Sequence, residues 1–213
     1  MSRLHPSIAL IMANIDTLVD NGYLIVPDFL APNEVALLAN YAQQLQEDRW
    51  QHAAIGREHS KTTNSQVRRD RIKWLDNSTT AEADYLALME SLRLQINRAL
   101  FMGLFDYECH LAWYPPGSFY RKHLDAFKGR SNRVLTSVFY LNQDWSADDG
   151  GELVMYGNNG EVLERILPEA GKLVLFLSDV FVHEVLPGKR QRLSISGWFR
   201  VNNSIGGRID PSR

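Results

Sequence analysis

The chain has 213 residues, 45% hydrophobic and 23% charged, with a formal charge of −2. That length fits one domain able to bury its own core, and the composition excludes a disordered chain, a collagen and a coiled coil. The absence of a basic surplus weighs against non-specific binding to nucleic acid or acidic membranes, and the single cysteine, Cys109, excludes an internal disulfide and a Cys-rich zinc site.

Ile8, Ile11, Ile15, Leu18 and Val19 recur at helical spacing and predict a helix over 7–20, stopped by Asn21-Gly22. Tyr23 to Val26 predicts a short strand ended by Pro27. A second helix opens at Ala31-Pro32 and runs to about Glu47, with Val35, Leu38, Tyr41, Ala42 and Leu45 as its apolar stripe. Arg49 to Arg71 is polar and basic and reads as a long loop, with room for a hairpin, that is a candidate lid. Ile72 to Leu75 predicts a strand, and a third helix spans about Thr80 to Gly103.

After Gly103 the pattern changes to short strands between turns. They are Tyr107–Tyr114, Phe119–Leu124, Val134–Leu141, Glu152–Tyr156, Val162–Ile166, Lys172–Leu177 and Leu193–Val201, with His183–Leu186 as one more candidate. Helices followed by closely spaced strands predict a mainly β fold, a barrel or jelly roll buttressed by helices. A single domain is expected: helical support and a substrate-side loop over 1–104, a β core over 105–201 and a short tail over 202–213. No stretch reaches the ~20 apolar residues of a membrane helix, the N-terminus does not read as a secretory signal, and a reducing cytoplasm is the expected location.

His123-Leu124-Asp125 is a His-x-Asp step, and residues two apart on a strand face the same side. With His183 beside a later strand, two imidazoles and one carboxylate can form the facial triad that suits Fe(II). Any one histidine is more often a hydrogen-bonded structural residue; the three together in a β context outweigh that reading. Nine residues after His183, Arg192 opens a strand whose residues Arg192, Ser194, Ser196 and Trp198 share one face. A guanidinium beside hydroxyls is a clamp for a carboxylate, and Tyr140 on another strand adds a phenolic donor. His5, His52, His59 and His110 keep a structural reading, as does Cys109.

The order Tyr114-Pro115-Pro116-Gly117, Phe119 through Asp125, Phe139-Tyr140-Leu141-Asn142-Gln143-Asp144-Trp145, Gly150-Gly151-Glu152-Leu153, His183-Glu184-Val185 and Arg192 resembles the Fe(II)/2-oxoglutarate dioxygenases. Within them it is most similar to the prolyl 4-hydroxylase group, above all the oxygen-sensing type and its bacterial relatives. The resemblance covers about Val67 to Val201. It implies a double-stranded β-helix, with Fe(II) at His123, Asp125 and His183 and the distal carboxylate of 2-oxoglutarate at Arg192 and Tyr140. Tyr114 is implied nearer the metal-chelating end of that co-substrate, and Ser196 takes a place usually held by a small hydroxyl residue. Arg133 and Trp198 correspond to residues on the substrate side, and Arg68 and Asp70 lie in a segment bordering the substrate-covering loop.

The implied reaction consumes 2-oxoglutarate and O2, releases succinate and CO2, and hydroxylates a proline in a protein or peptide, with ascorbate as the expected reductant. Two departures limit the transfer: the Tyr114–His123 segment differs in length and glycine content, and Asn202–Arg213 has little counterpart to the C-terminal substrate-contact helix. Other readings stay open. One is the same chemistry on free proline, another side chain or a small metabolite; another is a non-enzymatic metal- or 2-oxoglutarate-binding module.

Overall fold

The computed structural model describes residues 4–53, 66–127 and 131–202, and the backbone of 204–205 and 208–209. Most of the candidate lid, residues 54–65, lies outside the described residues. The first predicted helix is two, α1 (Pro6–Ala13) and α2 (Ile15–Asn21). The break falls at Asn14, whose backbone leaves helical geometry and whose side-chain amide donates to Leu10 O at 2.9 Å. An asparagine that can bond its own backbone competes with the helical ladder. β1 (Tyr23–Val26) follows, then α3 (Pro32–Gln44), which ends before Glu47 because Leu45 turns extended. β2 (Gln51–His52) and β3 (Arg71–Trp74) pair antiparallel and close the base of the long loop.

α4 (Thr80–Leu100) packs Tyr85, Met89, Leu92 and Ile96 into the core. It stops at Leu100, short of Gly103, where Phe101 adopts left-handed geometry. Asn97 takes both backbone groups of Leu104, accepting its N–H at 2.8 Å and donating to its carbonyl at 2.7 Å, and so turns the chain into the next strand. That strand is β4 (Leu104–Tyr114), followed by β5 (Tyr120–His123), β6 (Arg133–Tyr140), β7 (Leu153–Tyr156) and β8 (Val162–Ile166). β9 (Leu173–Leu177), β10 (Val182–Val185) and β11 (Arg192–Val201) complete the core. In the tail, 204–205 pairs with 208–209 as a small hairpin.

The strands form two facing sheets. One has the order β1-β9-β6-β11-β4-β3-β2, the other β5-β10-β7-β8, with antiparallel pairing throughout. The larger sheet separates two apolar clusters. Leu193, Ile195 and Phe199 of β11 and Leu135 and Phe139 of β6 join the cluster under the helices. Alternate residues face the smaller sheet, where Tyr114, Val138, Tyr140, Met155 and Phe176 pack together. Each fully buried aliphatic or aromatic side chain contributes roughly 1.5–3 kcal/mol by leaving water. Thr136 of β6 and Arg192 and Ser194 of β11 alternate with those core residues and stand on the opposite face, while Ser137 turns to the helix side and bonds Tyr107. No described helix is long and apolar enough to cross a membrane.

Candidate active site

β5 and β10 are neighbours in the smaller sheet, and their register places His123 opposite His183. The ring centroids are 4.2 Å apart. Each imidazole bonds through Nδ1 to the carbonyl two residues before it: His123 to Arg121 O at 2.8 Å, His183 to Phe181 O at 3.0 Å. This leaves both Nε2 atoms pointing inward. They lie 3.6 Å and 3.7 Å from the two oxygens of Asp125, and one ligand atom from each of the three residues falls within 4.8 Å of the others. Fixing Nδ1 on a carbonyl is how a protein presents Nε2 to a metal.

Asp125 reaches this place by a different route from the one its spacing suggests. β5 ends at His123, so strand alternation does not orient Asp125. Its carboxylate accepts a hydrogen bond from Thr136 Oγ1 of β6 at 2.8 Å, Thr136 also bonds Ser178 Oγ at 2.9 Å, and Ala126 N–H donates to Ser178 O. Burial alone would raise the Asp125 carboxyl, but the two imidazoles and Arg133 hold it well below the usual carboxylate range. Burial, reinforced by His123, pushes His183 down to about 4. The set is thus one carboxylate and an imidazole kept neutral near pH 7, beside a second imidazole, which is the donor chemistry Fe(II) takes.

Arg192 is 2% exposed on the larger sheet. Its Nε donates to Gly151 O at 3.0 Å and its Nη1 to Ser194 Oγ at 3.2 Å. Gly151 has φ +73°, and a Cβ there would lie 3.2 Å from Trp145, so the Gly150-Gly151 turn brings a bare carbonyl to the guanidinium. Tyr114 and Tyr140 flank the cation, with ring centroids 4.9 Å and 5.0 Å from its Cζ. Among the described residues no carboxylate pairs with Arg192, and the buried Tyr140 hydroxyl has no hydrogen-bond partner. Burial raises that phenol to about 12 against the opposing charge of Arg192, so it is a donor. A buried guanidinium beside an unpartnered buried donor is incomplete without an anion. A carboxylate fits.

The other sequence candidates divide. Ser196 is half-buried on the Arg192 face, but the hydroxyl that contacts the guanidinium is Ser194. Arg133 lies 3.5 Å over the Trp198 ring and is bound by Glu108 at 2.8 and 3.0 Å; Trp198 Nε1 is buried without a partner. Arg68 and Asp70 turn inward onto each other, bonded at 2.7 and 2.5 Å. His110 is buried between Trp74 and Trp198, and Cys109 is buried with its thiol pushed up by desolvation, in keeping with structural roles. Sequence reasoning placed Ser194 on the clamp face but gave no role to Thr136, Ser178 or Tyr120. Thr136 alone carried a signal, since it shares a strand face with Tyr140 four residues on.

The family description "2OG-Fe(II) oxygenase superfamily" matches residues 109–200, which span every triad and clamp residue. A solved prolyl-4-hydroxylase from Pseudomonas putida is 40% identical, with a TM-score of 0.82 over 91% of this chain and 100% of that one. A Trichoplax adhaerens prolyl hydroxylase, solved with a hypoxia inducible factor peptide, is 28% identical, with a TM-score of 0.76 over 91% of this chain and 90% of that one. Human Egl nine homolog 1 is 25% identical over 84% of this chain and 44% of its own length. Prolyl 3-hydroxylase OGFOD1 of Xenopus laevis is 38% identical over 36% of this chain and 16% of its own length. The chain thus spans less than half of these curated relatives. With the paired sheets, the His-Asp-His cluster and the full-length likeness to the Pseudomonas enzyme agreeing, the chain belongs to the 2OG-Fe(II) oxygenase superfamily.

Proposed function

We propose that the protein is an Fe(II)- and 2-oxoglutarate-dependent prolyl hydroxylase acting on a protein or peptide, releasing succinate and CO2. The observation that carries this reading is the pairing, in one space between the sheets, of an imidazole–carboxylate–imidazole set with a buried guanidinium and phenol that await an anion. The 40% identity to a prolyl-4-hydroxylase along its whole length supports proline as the target.

His123, Asp125 and His183 would hold the iron, and Arg192 with Tyr140 would hold the distal carboxylate of 2-oxoglutarate. Iron, 2-oxoglutarate and O2 together supply the oxidising chemistry that inserts oxygen into a C–H bond. The chain's own residues do the rest. Thr136 keeps the Asp125 carboxylate turned to the imidazoles. Arg192 and Tyr140 select a diacid by pairing with its far end, which fixes the length of molecule that reaches the metal. Tyr114 closes the clamp beside the guanidinium. Arg133 and Trp198 form a stiff wall against which a pyrrolidine ring packs while water is excluded. Ascorbate is the reductant that would keep the iron divalent. A cytoplasmic setting fits the single buried cysteine.

The test is oxygen incorporation. The enzyme, Fe(II), ascorbate and 2-oxoglutarate are incubated with a proteome extract, with Asp125→Ala as control, and added oxygen is mapped by mass spectrometry. Hydroxyproline formed only by the native enzyme is the expected result. Succinate production with a metabolite pool and no modified protein would move the reading to a small-molecule oxygenase.

A further inference from the structure

His123 needs more than its Nδ1 bond to serve as a ligand. That bond fixes the ring at one edge, yet the plane can still swing about it, and a swing displaces Nε2 from the metal. The face of the ring must be held. Tyr120, three residues earlier, stacks on it with centroids 3.5 Å apart and planes 16° from parallel. The outer face of Tyr120 is covered by the Arg68 guanidinium, 4.3 Å from its centroid. Asp70, 1% exposed, fixes that guanidinium through Nε and Nη2. Residues 66–69 are in turn bound along β5: Arg69 N–H donates to Phe119 O at 3.1 Å, Arg121 N–H to Val67 O at 2.9 Å, and Arg121 Nε to Gln66 O at 2.5 Å.

We propose that Tyr120 is a positioning residue for the His123 imidazole, held from behind by the Arg68–Asp70 pair. The seating of residues 66–70 against β5 then sets how tightly the triad grips its metal. The inference rests on the iron reading above. A tyrosine between a cation and an imidazole, with its plane fixed by both, does what a lone hydrogen bond cannot. Groups that orient a ligand in this way typically change metal affinity by 10–100-fold when removed.

The test is Co(II) binding to the full chain, followed by calorimetry and by the visible absorption of the bound ion, beside a melting curve for each variant. Tyr120→Phe keeps the stack and should bind within about threefold of the native protein. Tyr120→Leu should bind at least about tenfold more weakly with a changed Co(II) spectrum. Arg68→Gln/Asp70→Asn keeps hydrogen-bonding groups but removes the cation from Tyr120, and should also weaken binding and alter the spectrum. If Tyr120→Leu does not fold, this double variant decides. The proposal is overturned if the folded variants bind like the native protein with the same spectrum, even when their melting temperatures fall. Equal Co(II) binding by the native protein and Asp125→Ala would instead overturn the iron reading itself.

Discussion

Replacing Arg192 by methionine removes the clamp's charge while keeping most of its length. In the protein the guanidinium is already ordered: Gly151 O and Ser194 Oγ hold two of its donors, and two tyrosines hold its plane. The remaining donors are free to pair with one carboxylate in a fork. Charge-assisted hydrogen bonds are worth about 1.5–3 kcal/mol each, and a pair sharing one carboxylate roughly 3–4 kcal/mol together, or about 100- to 1000-fold in affinity. The hydrogen bonds of Arg192 go to Gly151 and Ser194, whereas Asp125 is oriented by Thr136, so the metal site should be untouched. The assay is succinate release across a range of 2-oxoglutarate concentrations, with Co(II) affinity measured in parallel. The KM for 2-oxoglutarate should rise by that factor, kcat at saturation should change little, and Co(II) affinity should stay the same. A KM within about threefold of native would refute the assignment, because the other buried guanidinium of β11, Arg200, is already paired with Asp106 and Glu108.

Three further outcomes are expected. Thr136→Val removes the hydroxyl that orients Asp125 and should weaken Co(II) binding by about tenfold in calorimetry; unchanged binding would mean the carboxylate needs no support from β6. Gly197→Ala places a Cβ 2.5 Å from Tyr107 Cζ and 2.7 Å from Cys109 Cβ, so the unfolding free energy from urea titration should drop by about 1–3 kcal/mol, partly rescued by Tyr107→Phe. In metal-free protein, burial and the Arg68 charge push His110 down to about 4. An unfolded histidine titrates near about 6.5, so the unfolded chain binds the extra proton between these values, and stability falls as pH drops through that window by on the order of 3 kcal/mol. Urea unfolding of His110→Gln should show a shallower loss between pH 7 and 4.5, and an unchanged profile would sink this account.

Much of the fold is legible in alternation along single strands. Arg192, Ser194 and Trp198 lie on the site face of β11 and Leu193, Ile195 and Phe199 on the core face, as period-two patterning requires. The grouping of His123, Asp125 and His183, and of Arg192 with Tyr140, is legible because such side chains are rare together: two imidazoles, a carboxylate and a guanidinium in one β region have few other uses. The helix break at Asn14 was hidden because apolar spacing continues across it, while the cause is one side-chain bond. The orientation of Asp125 was hidden because it depends on β6, reached only through sheet pairing. Arg68 and Asp70, read as substrate-side, also bond each other, and a bidentate pair two residues apart leaves no mark in composition.

The division of labour between the sheets follows from these contacts. His123 and His183 belong to β5 and β10 of the smaller sheet, while Thr136, Tyr140 and Arg192 belong to β6 and β11 of the larger. Asp125 sits past the end of β5, yet its carboxylate is bonded across to β6. It is therefore the residue at which the two sheets meet over the metal position. A divalent ion bound there would tie the sheets together, and a diacid reaching from Arg192 to that ion would tie them a second time. A ligand that binds only the folded chain adds stability that grows with the logarithm of its concentration over Kd, and the two effects should exceed the sum of each taken singly if each braces the other's site. Co(II) and 2-oxoglutarate added together should then raise the melting temperature by more than their separate shifts combined. Strict additivity would show that neither ligand braces the other's site and would refute this coupling.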